Sequence, residues 1–321
     1  MTSVLSPESL QQIKRLDLRA RMVVRGFLQG LHASPLQGFS VQFSEHRRYN
    51  RGDDPKLIDW LAYAKTDRYF VKQYEAETNL TGYLVMDLSA SMATGSGDAG
   101  AMSKFEYSLC LAASLTYLMT MQQDPIGLVT FSDKLRALLP ARSRRNHLGD
   151  VIASLSALQP LGPTQLGTCV EQLASMLKHE SLIMVFSDLW PDPDSVGFDG
   201  NNAGSAVSPS DANDAMADAI VRSLVRLKHG GHDVIVFHVL DRQEAEFDFS
   251  GPVQFEDAET GQTITVDADA FAGEYLERLE AYRESLASGF GKHRVDYVPL
   301  HTGMPFDKAL TEYLIGRRNR L

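Results

Sequence analysis

The sequence predicts an α/β protein, a doubly wound and mostly parallel sheet preceded by an N-terminal helical and extended segment. Three observations predict it. From about residue 78 onward, short runs of β-branched and aromatic residues alternate with longer helical stretches, the rhythm of strand–helix units around a parallel sheet. The runs are apolar throughout rather than alternating in polarity, as strands covered on both faces require. A chain of 321 residues, 44% hydrophobic and 22% charged, has the composition of a globular protein and is long enough for one large domain with an appendage.

From Ser6 to about Gly30, the residues Leu10, Ile13, Leu16, Leu18, Val23, Val24 and Leu28 recur at roughly helical spacing among Arg and Lys. Ser6-Pro7-Glu8 supplies a helix start, so one amphipathic helix is predicted. Residues 31–66 are rich in glycine and charge, and "RYFVKQYEAET" then alternates like a strand with one wet face. Residues 1–77 are thus expected to form a basic segment packing on a main domain at 78–321. In that domain "TGYLVMD", "IGLVTF", "LIMVFSD", "DVIVFHVLD" and "RVDYVPL" read as buried strands. Helices are predicted at 101–123, 145–158, 166–179, 212–229 and 270–290, the last after a small hairpin-like insert. Residues 191–214, "PDPDSVGFDGNNAGSAVSPSDAND", interrupt the rhythm and predict a flexible loop at the carboxyl end of a strand.

The net charge is -10, unevenly spread: residues 1–75 hold 12 Lys and Arg against 8 Asp and Glu, leaving 19 against 33 in the remainder. A basic N-terminal region docking on an acidic domain accounts for this better than a nucleic-acid surface does. Neither a signal peptide nor a run near the roughly 18 apolar residues of a membrane span is present, so a cytoplasmic protein without membrane attachment is expected. Cys110 and Cys169 sit in apolar helical settings, which speaks against a disulfide framework or a cysteine-based zinc site.

In a parallel sheet the residues after each strand share one edge, where open α/β sheets place their ligands. Asp87, Ser89 and Ser91 follow the first strand in "LVMDLSASM". Ser187 and Asp188 follow "LIMVF", Asp241 follows "VIVFHVL", and Thr164 precedes a helix, where it is also a favoured N-cap. By itself, D-x-S-x-S is a short string that recurs by chance. With the Thr and the second Asp converging on it, the set offers hard oxygen ligands of low formal charge, which suit Mg²⁺ better than zinc.

"VMDLSASM", "GPTQLG" and "VFSD" resemble the three loops of the metal-ion-dependent adhesion site in von Willebrand factor type A domains, a doubly wound fold. The resemblance covers roughly residues 78–300. It implies that Ser89 and Ser91 bind the cation through their hydroxyls and Thr164 directly or through water. Asp87 and Asp188 would act mainly through waters while holding the hydroxyls in place. Mg²⁺ is the implied ion, with Mn²⁺ or Ca²⁺ possible, and a protein partner's Asp or Glu would complete its shell. The segment "RRYNRGDDPKLIDWLAYAKTDRYFVKQYEAET" is similar to the signature of the bacterial family called domain of unknown function 58. That likeness implies a soluble partner or adaptor of a MoxR-type AAA+ ATPase.

An enzyme is not expected: Ser89 lacks the G-x-S-x-G context of a nucleophile elbow, and there is no phosphate-binding G-x-x-x-x-G-K-[ST] loop. A Mg²⁺-dependent phosphoesterase, needing a phosphate-binding Arg or Lys beside the site, is the runner-up. Nucleic-acid binding through Arg15, Arg19, Arg21 and Arg25 is a third possibility. Arg51-Gly52-Asp53 reads as a turn, and Asp53, Asp54, Asp59 and Trp60 as a structural lock. His229 and His232 mark a Gly-capped helix end, and His238 is a core histidine with satisfied hydrogen bonds.

Overall fold

The computed structural model describes residues 6–33, 46–48, 70–72, 80–95, 101–190, 209–259 and 261–311. The chain divides into two units, residues 1–28 with 80–321 and residues 29–79. The N-terminal segment is therefore split, its first part clustering with the large unit.

That first part is not one helix. It forms α1 (Pro7–Gln11) and α2 (Leu16–Ala33). Arg19 explains the break, because its guanidinium donates to the carbonyls of Gln11 and Ile13 and so replaces the helical partners those oxygens would need. Pro7 occupies the first turn, as the sequence suggests, and Leu10, Ala20, Val23, Val24 and Phe27 are buried. In the smaller unit β1 (His46–Arg48) pairs antiparallel with β2 (Phe70–Lys72). The predicted strand is described there only over its first residues, and the signature residues 49–69 lie outside the described residues.

The large unit is built on β3 (Gly82–Asp87), α3 (Lys104–Met121), β4 (Ile126–Phe131), β5 (Leu135–Arg142), α4 (Arg145–Ala157), α5 (Leu166–Met176), β6 (Leu182–Ser187), α6 (Pro209–His229), β7 (Asp233–Leu240), α7 (Arg242–Glu246), β8 (Pro252–Glu256), β9 (Thr263–Asp267), α8 (Ala268–Lys292) and β10 (Asp296–His301). Six strands form one sheet in the order β10-β7-β6-β3-β4-β5. All neighbours are parallel except β4 and β5. The five predicted strands are all present. β5 was not foreseen, because "LRALLPAR" carries Arg and Pro and lies mostly exposed, as an antiparallel edge strand can.

Every residue of β4 and β6 is buried, which explains their unbroken apolar character. Successive side chains serve opposite faces: Val85, Ile183, Val185, Val234 and Val236 join residues of α5, α6 and α8 in one core. Gly82 lets Met119 of α3 lie against the strand, since a Cβ there would come within 2.5 Å of the Met119 methyl. Buried residues ring α3 on nearly all sides, and its start is a capping box made by Ser103 and Glu106. The predicted loop at 191–214 ends earlier than expected. Residues 191–208 lie outside the described residues, but Pro209 opens α6, a position where its fixed φ and missing N–H are tolerated.

Sequence neighbours run outward from β3 in both directions, to β4 and β5 on one side and to β6, β7 and β10 on the other. The reversal falls between β3 and β6, the switch point at which such sheets leave a crevice beyond their carboxyl ends.

Candidate metal centre

Asp87 ends β3 and Ser187 ends β6, so the switch point itself brings them together. Ser187 donates its hydroxyl to one Asp87 oxygen at 2.6 Å, and the backbone N–H of Ser89 donates to the other at 2.9 Å. Ser89 and Ser91 share a hydrogen bond of 3.0 Å between their hydroxyls. Asp188 lies against this group, where the Ser91 hydroxyl favours its ionised form. Asp87, Ser89, Ser187 and Asp188 are all 0–2% exposed.

The Thr164 loop is fastened to the same turn: Leu161 N–H donates to the Leu88 carbonyl at 2.7 Å and Ala90 N–H to that of Gly162 at 2.8 Å. Thr164 is not the helix cap that its position suggests. Gln165 stands at the N-cap of α5 without a side-chain bond, and the buried Thr164 hydroxyl has no hydrogen-bond partner. Ser89, at the N-cap of the short 3₁₀ turn Ala90–Ala93, makes no capping bond either. Buried hydroxyls are normally satisfied, and leaving one unpaired costs about 1–3 kcal/mol. Three hydroxyls at one edge, none of them capping a helix, have the oxygen-donor chemistry a hard cation needs.

Lys104, which nothing in the sequence singles out, completes the charge pattern. Its ammonium, 1% exposed, lies 2.9 Å from Asp188 and 3.1 Å from Glu244. Burial would depress its pKa, but the two carboxylates overcome that and hold it above the ordinary lysine value. Burial would likewise raise Asp188, yet the Lys104 charge and the bonds from Lys104 and Ser91 bring it below the usual carboxylate range. Among the described residues no such cation acts on Asp87. Burial, and then the neighbouring Asp188 charge, push it up to about 7 against the bonds from Ser187 and Ser89. A divalent cation would supply the charge that Asp87 lacks, and the residues present fit one.

Other candidates fall elsewhere. Asp241 is an N-cap, bonding Gln243 N–H at 2.9 Å and accepting from Thr302 at 3.1 Å, with Glu244 closing a capping box. His229 and His232 flank a helix end in which Gly231, at φ 86, provides the left-handed residue. His238 is a buried core histidine whose Nδ1 meets the Tyr297 hydroxyl at 2.6 Å and which lies beside the Asp188 backbone. Arg51 to Asp54, Asp59 and Trp60 lie outside the described residues. Among the described residues no three His, Cys, Asp or Glu side chains converge as a metal-ligating group, so any cation here relies on hydroxyls. None of the described helices is long and apolar enough to cross a membrane.

Leu189, directly after Asp188, adopts φ 53, a costly conformation for a branched residue. It is fixed by its N–H bond to Ser187 Oγ at 3.0 Å and by the Tyr282 hydroxyl on its carbonyl at 2.6 Å. Strain of this kind, held from two sides, turns the chain sharply after Asp188.

Strand order and the antiparallel edge strand define a doubly wound α/β domain, with the D-x-S-x-S turn at its switch point. The chain belongs to the family described as "Protein of unknown function DUF58", whose model matches residues 45–285. A relative from Mycobacterium tuberculosis, "Uncharacterized protein Rv1480", is 23% identical over 322 aligned residues, covering 97% of this chain and 90% of that protein. Among solved structures, BatB from Bacteroides thetaiotaomicron matches at a TM-score of 0.41 and 14% identity over 74% of this chain and 99% of that one. The SpRpn10 VWA domain matches at 0.35 and 14% identity over 72% and 93%.

Proposed function

We propose that the protein is a Mg²⁺-dependent protein-binding module, an adaptor or partner of a MoxR-type AAA+ ATPase in complex assembly, and not an enzyme. Asp87, Ser89, Ser91, Thr164 and Asp188 would hold the cation, with Mn²⁺ or Ca²⁺ as substitutes, and an Asp or Glu of the partner would complete its shell. The observation that carries this is the buried, unpartnered Thr164 hydroxyl beside the Ser89–Ser91 pair and two buried carboxylates. A hydroxyl with no structural duty is explained by a ligand. The choice of ATPase rests on what resemblance to the family implies.

The phosphoesterase alternative needs a cation free to meet a phosphate. Lys104 is beside the site, but its ammonium is buried and turned inward onto Asp188 and Glu244. The basic N-terminal residues have protein partners as well: Arg15 pairs with Asp17 at 2.7 Å, Arg19 with two carbonyls, and Arg21 with the Tyr117 hydroxyl at 3.2 Å. Binding to the protein itself is therefore a sufficient role for most of that charge.

The test is Mn²⁺ titration followed by electron paramagnetic resonance, joined to affinity capture from native cytosol in Mg²⁺ or chelator. Thr164→Val keeps side-chain shape and removes only the hydroxyl. It should leave thermal stability in chelator unchanged or slightly raised, weaken Mn²⁺ binding at least tenfold, and abolish Mg²⁺-dependent capture of the ATPase, as should Asp87→Ala. Capture that is equal in Mg²⁺ and chelator, or Mn²⁺ affinity unchanged by Thr164→Val, would end the proposal.

A further inference from the structure

The chain carries a carboxylate of its own beside the candidate metal centre. Glu259, 95 residues further along, accepts a hydrogen bond from the backbone N–H of Thr164 at 3.2 Å through Oε2. It sits in the turn between β8 and β9, and that turn is fixed: Glu259 N–H donates to the Asp257 side chain, while Asp257 N–H and the Gln262 carbonyl, and Gly261 N–H and the Asp257 carbonyl, close it at 2.8 Å each. Gly261 supplies the left-handed residue at φ 70. The hairpin is in turn seated on aromatic rings: Phe255 on Phe247 and Phe249, and Phe247 on Tyr275 of α8 at 4.7 Å. An acidic side chain is thus carried by a braced hairpin to the one residue of the site whose buried hydroxyl has no partner.

The oxygen inventory shows what this carboxylate could do. Both oxygens of Asp87 are engaged by Ser187 and Ser89, and Asp188 is held by Lys104 and Ser91. A hard divalent cation among the hydroxyls of Ser89, Ser91 and Thr164 prefers anionic oxygen, and Glu259 brings a carboxylate to Thr164. An arriving carboxylate could take the same Thr164 N–H that Glu259 now holds.

Resting on the metal-dependent reading above, we propose that Glu259 is the resident carboxylate ligand of this cation site, bound directly or through one water, and that a partner's acidic side chain must displace it. The hairpin then makes the centre selective for partners that outcompete an internal glutamate. Binding of an external carboxylate should strengthen when the internal one is removed.

The test uses the full chain, Mn²⁺ as the metal probe and acetate as the carboxylate probe. Glu259→Gln keeps an acceptor for the Thr164 N–H and removes the charge, so a purely structural role for Glu259 would leave Mn²⁺ affinity unchanged. Glu259→Ala opens the position. The expected result is Mn²⁺ binding by wild type, binding weakened severalfold in both variants, and recovery of most of that loss by acetate in Glu259→Ala while wild type does not respond. Wild-type-like Mn²⁺ affinity in both variants, with acetate acting alike on all three, would overturn the role of Glu259 and leave the metal site standing. Absence of Mn²⁺ binding by wild type would instead overturn the metal reading itself and this inference with it.

Discussion

Lys104 shows how much one residue can decide. It opens α3, is as buried as the core leucines, and holds Asp188 and Glu244 in one ion-pair group. Burying an ammonium is costly unless it is paired and hydrogen-bonded, and removing one partner leaves the other charge stranded. Lys104→Met is therefore expected to lower stability in chelator by about 3–5 kcal/mol. Lys104→Met with Asp188→Asn should recover part of that loss. Chemical denaturation of the two variants checks both statements, and equal stability of Lys104→Met and wild type would mean that the ion pair contributes nothing. At this scale Asp87, Ser89 and Ser91 could be named from sequence because a strand followed by D-x-S-x-S is a local pattern, Asp188 because it follows another apolar strand, and Thr164 because it precedes a helix. Lys104 could not, because its neighbours Asp188 and Glu244 lie 84 and 140 residues away. A lysine opening a helix ordinarily faces water, and only the packing of α3 against the sheet edge turns this one inward.

Among elements, the contact between α6 and α8 is set by a glycine. A Cβ on Gly289 would lie 2.7 Å from a methyl of Val221, whose β-branched side chain has little room to rotate. Gly273, on the same helix, has no atom within 4 Å of the corresponding position. Gly273→Ala should therefore stabilise by up to about 1 kcal/mol through helix propensity alone. Gly289→Ala should lose that gain to overpacking, which typically costs about 1–3 kcal/mol. In a double-mutant cycle Gly289→Ala should cost less in a Val221→Ala background, with a coupling of at least about 0.5 kcal/mol. Additive behaviour would show that the helices do not meet there. Sequence periodicity located both helices to within a few residues but could not show that these two faces touch. The break between α1 and α2 escaped for a related reason: it depends on where one arginine places its guanidinium, not on apolar spacing.

For the whole molecule, the titration of buried histidines sets a pH dependence. Burial, reinforced by Arg283 and only partly opposed by Asp188, lowers His238 to about 3 from an ordinary value of 6.5. Tyr297 bonds its Nδ1, and Lys104 adds a further unfavourable charge. His232 and His301 are lowered too, again chiefly by burial. Between pH 6.5 and 3 the unfolded chain binds the proton that folded His238 refuses, so the His238 contribution to stability falls as pH falls through this window, while Asp87, raised to about 7, contributes in the opposite sense above its ordinary value of 3.8. The slope for one such proton is at most about 1.4 kcal/mol per pH unit. His238→Phe should flatten the stability profile between pH 6.5 and 4 relative to wild type, whatever it does to stability at pH 8. An unchanged slope would assign the acid sensitivity to other groups.

The sequence by itself determined the fold class, the five parallel strands and the main helices, because each depends on patterns that repeat within a few residues, and it put forward five residues as candidates for a cation site. Strand polarity follows from burial on two faces, and the D-x-S-x-S turn follows from the end of a strand. Only the tertiary structure decided which hydroxyl is left without a partner, which lysine is buried among the acids, and which glutamate reaches Thr164. Those outcomes depend on contacts between segments some 80 to 140 residues apart. Whether a buried polar atom is satisfied is a property of the packed interior, and no stretch of chain carries it alone.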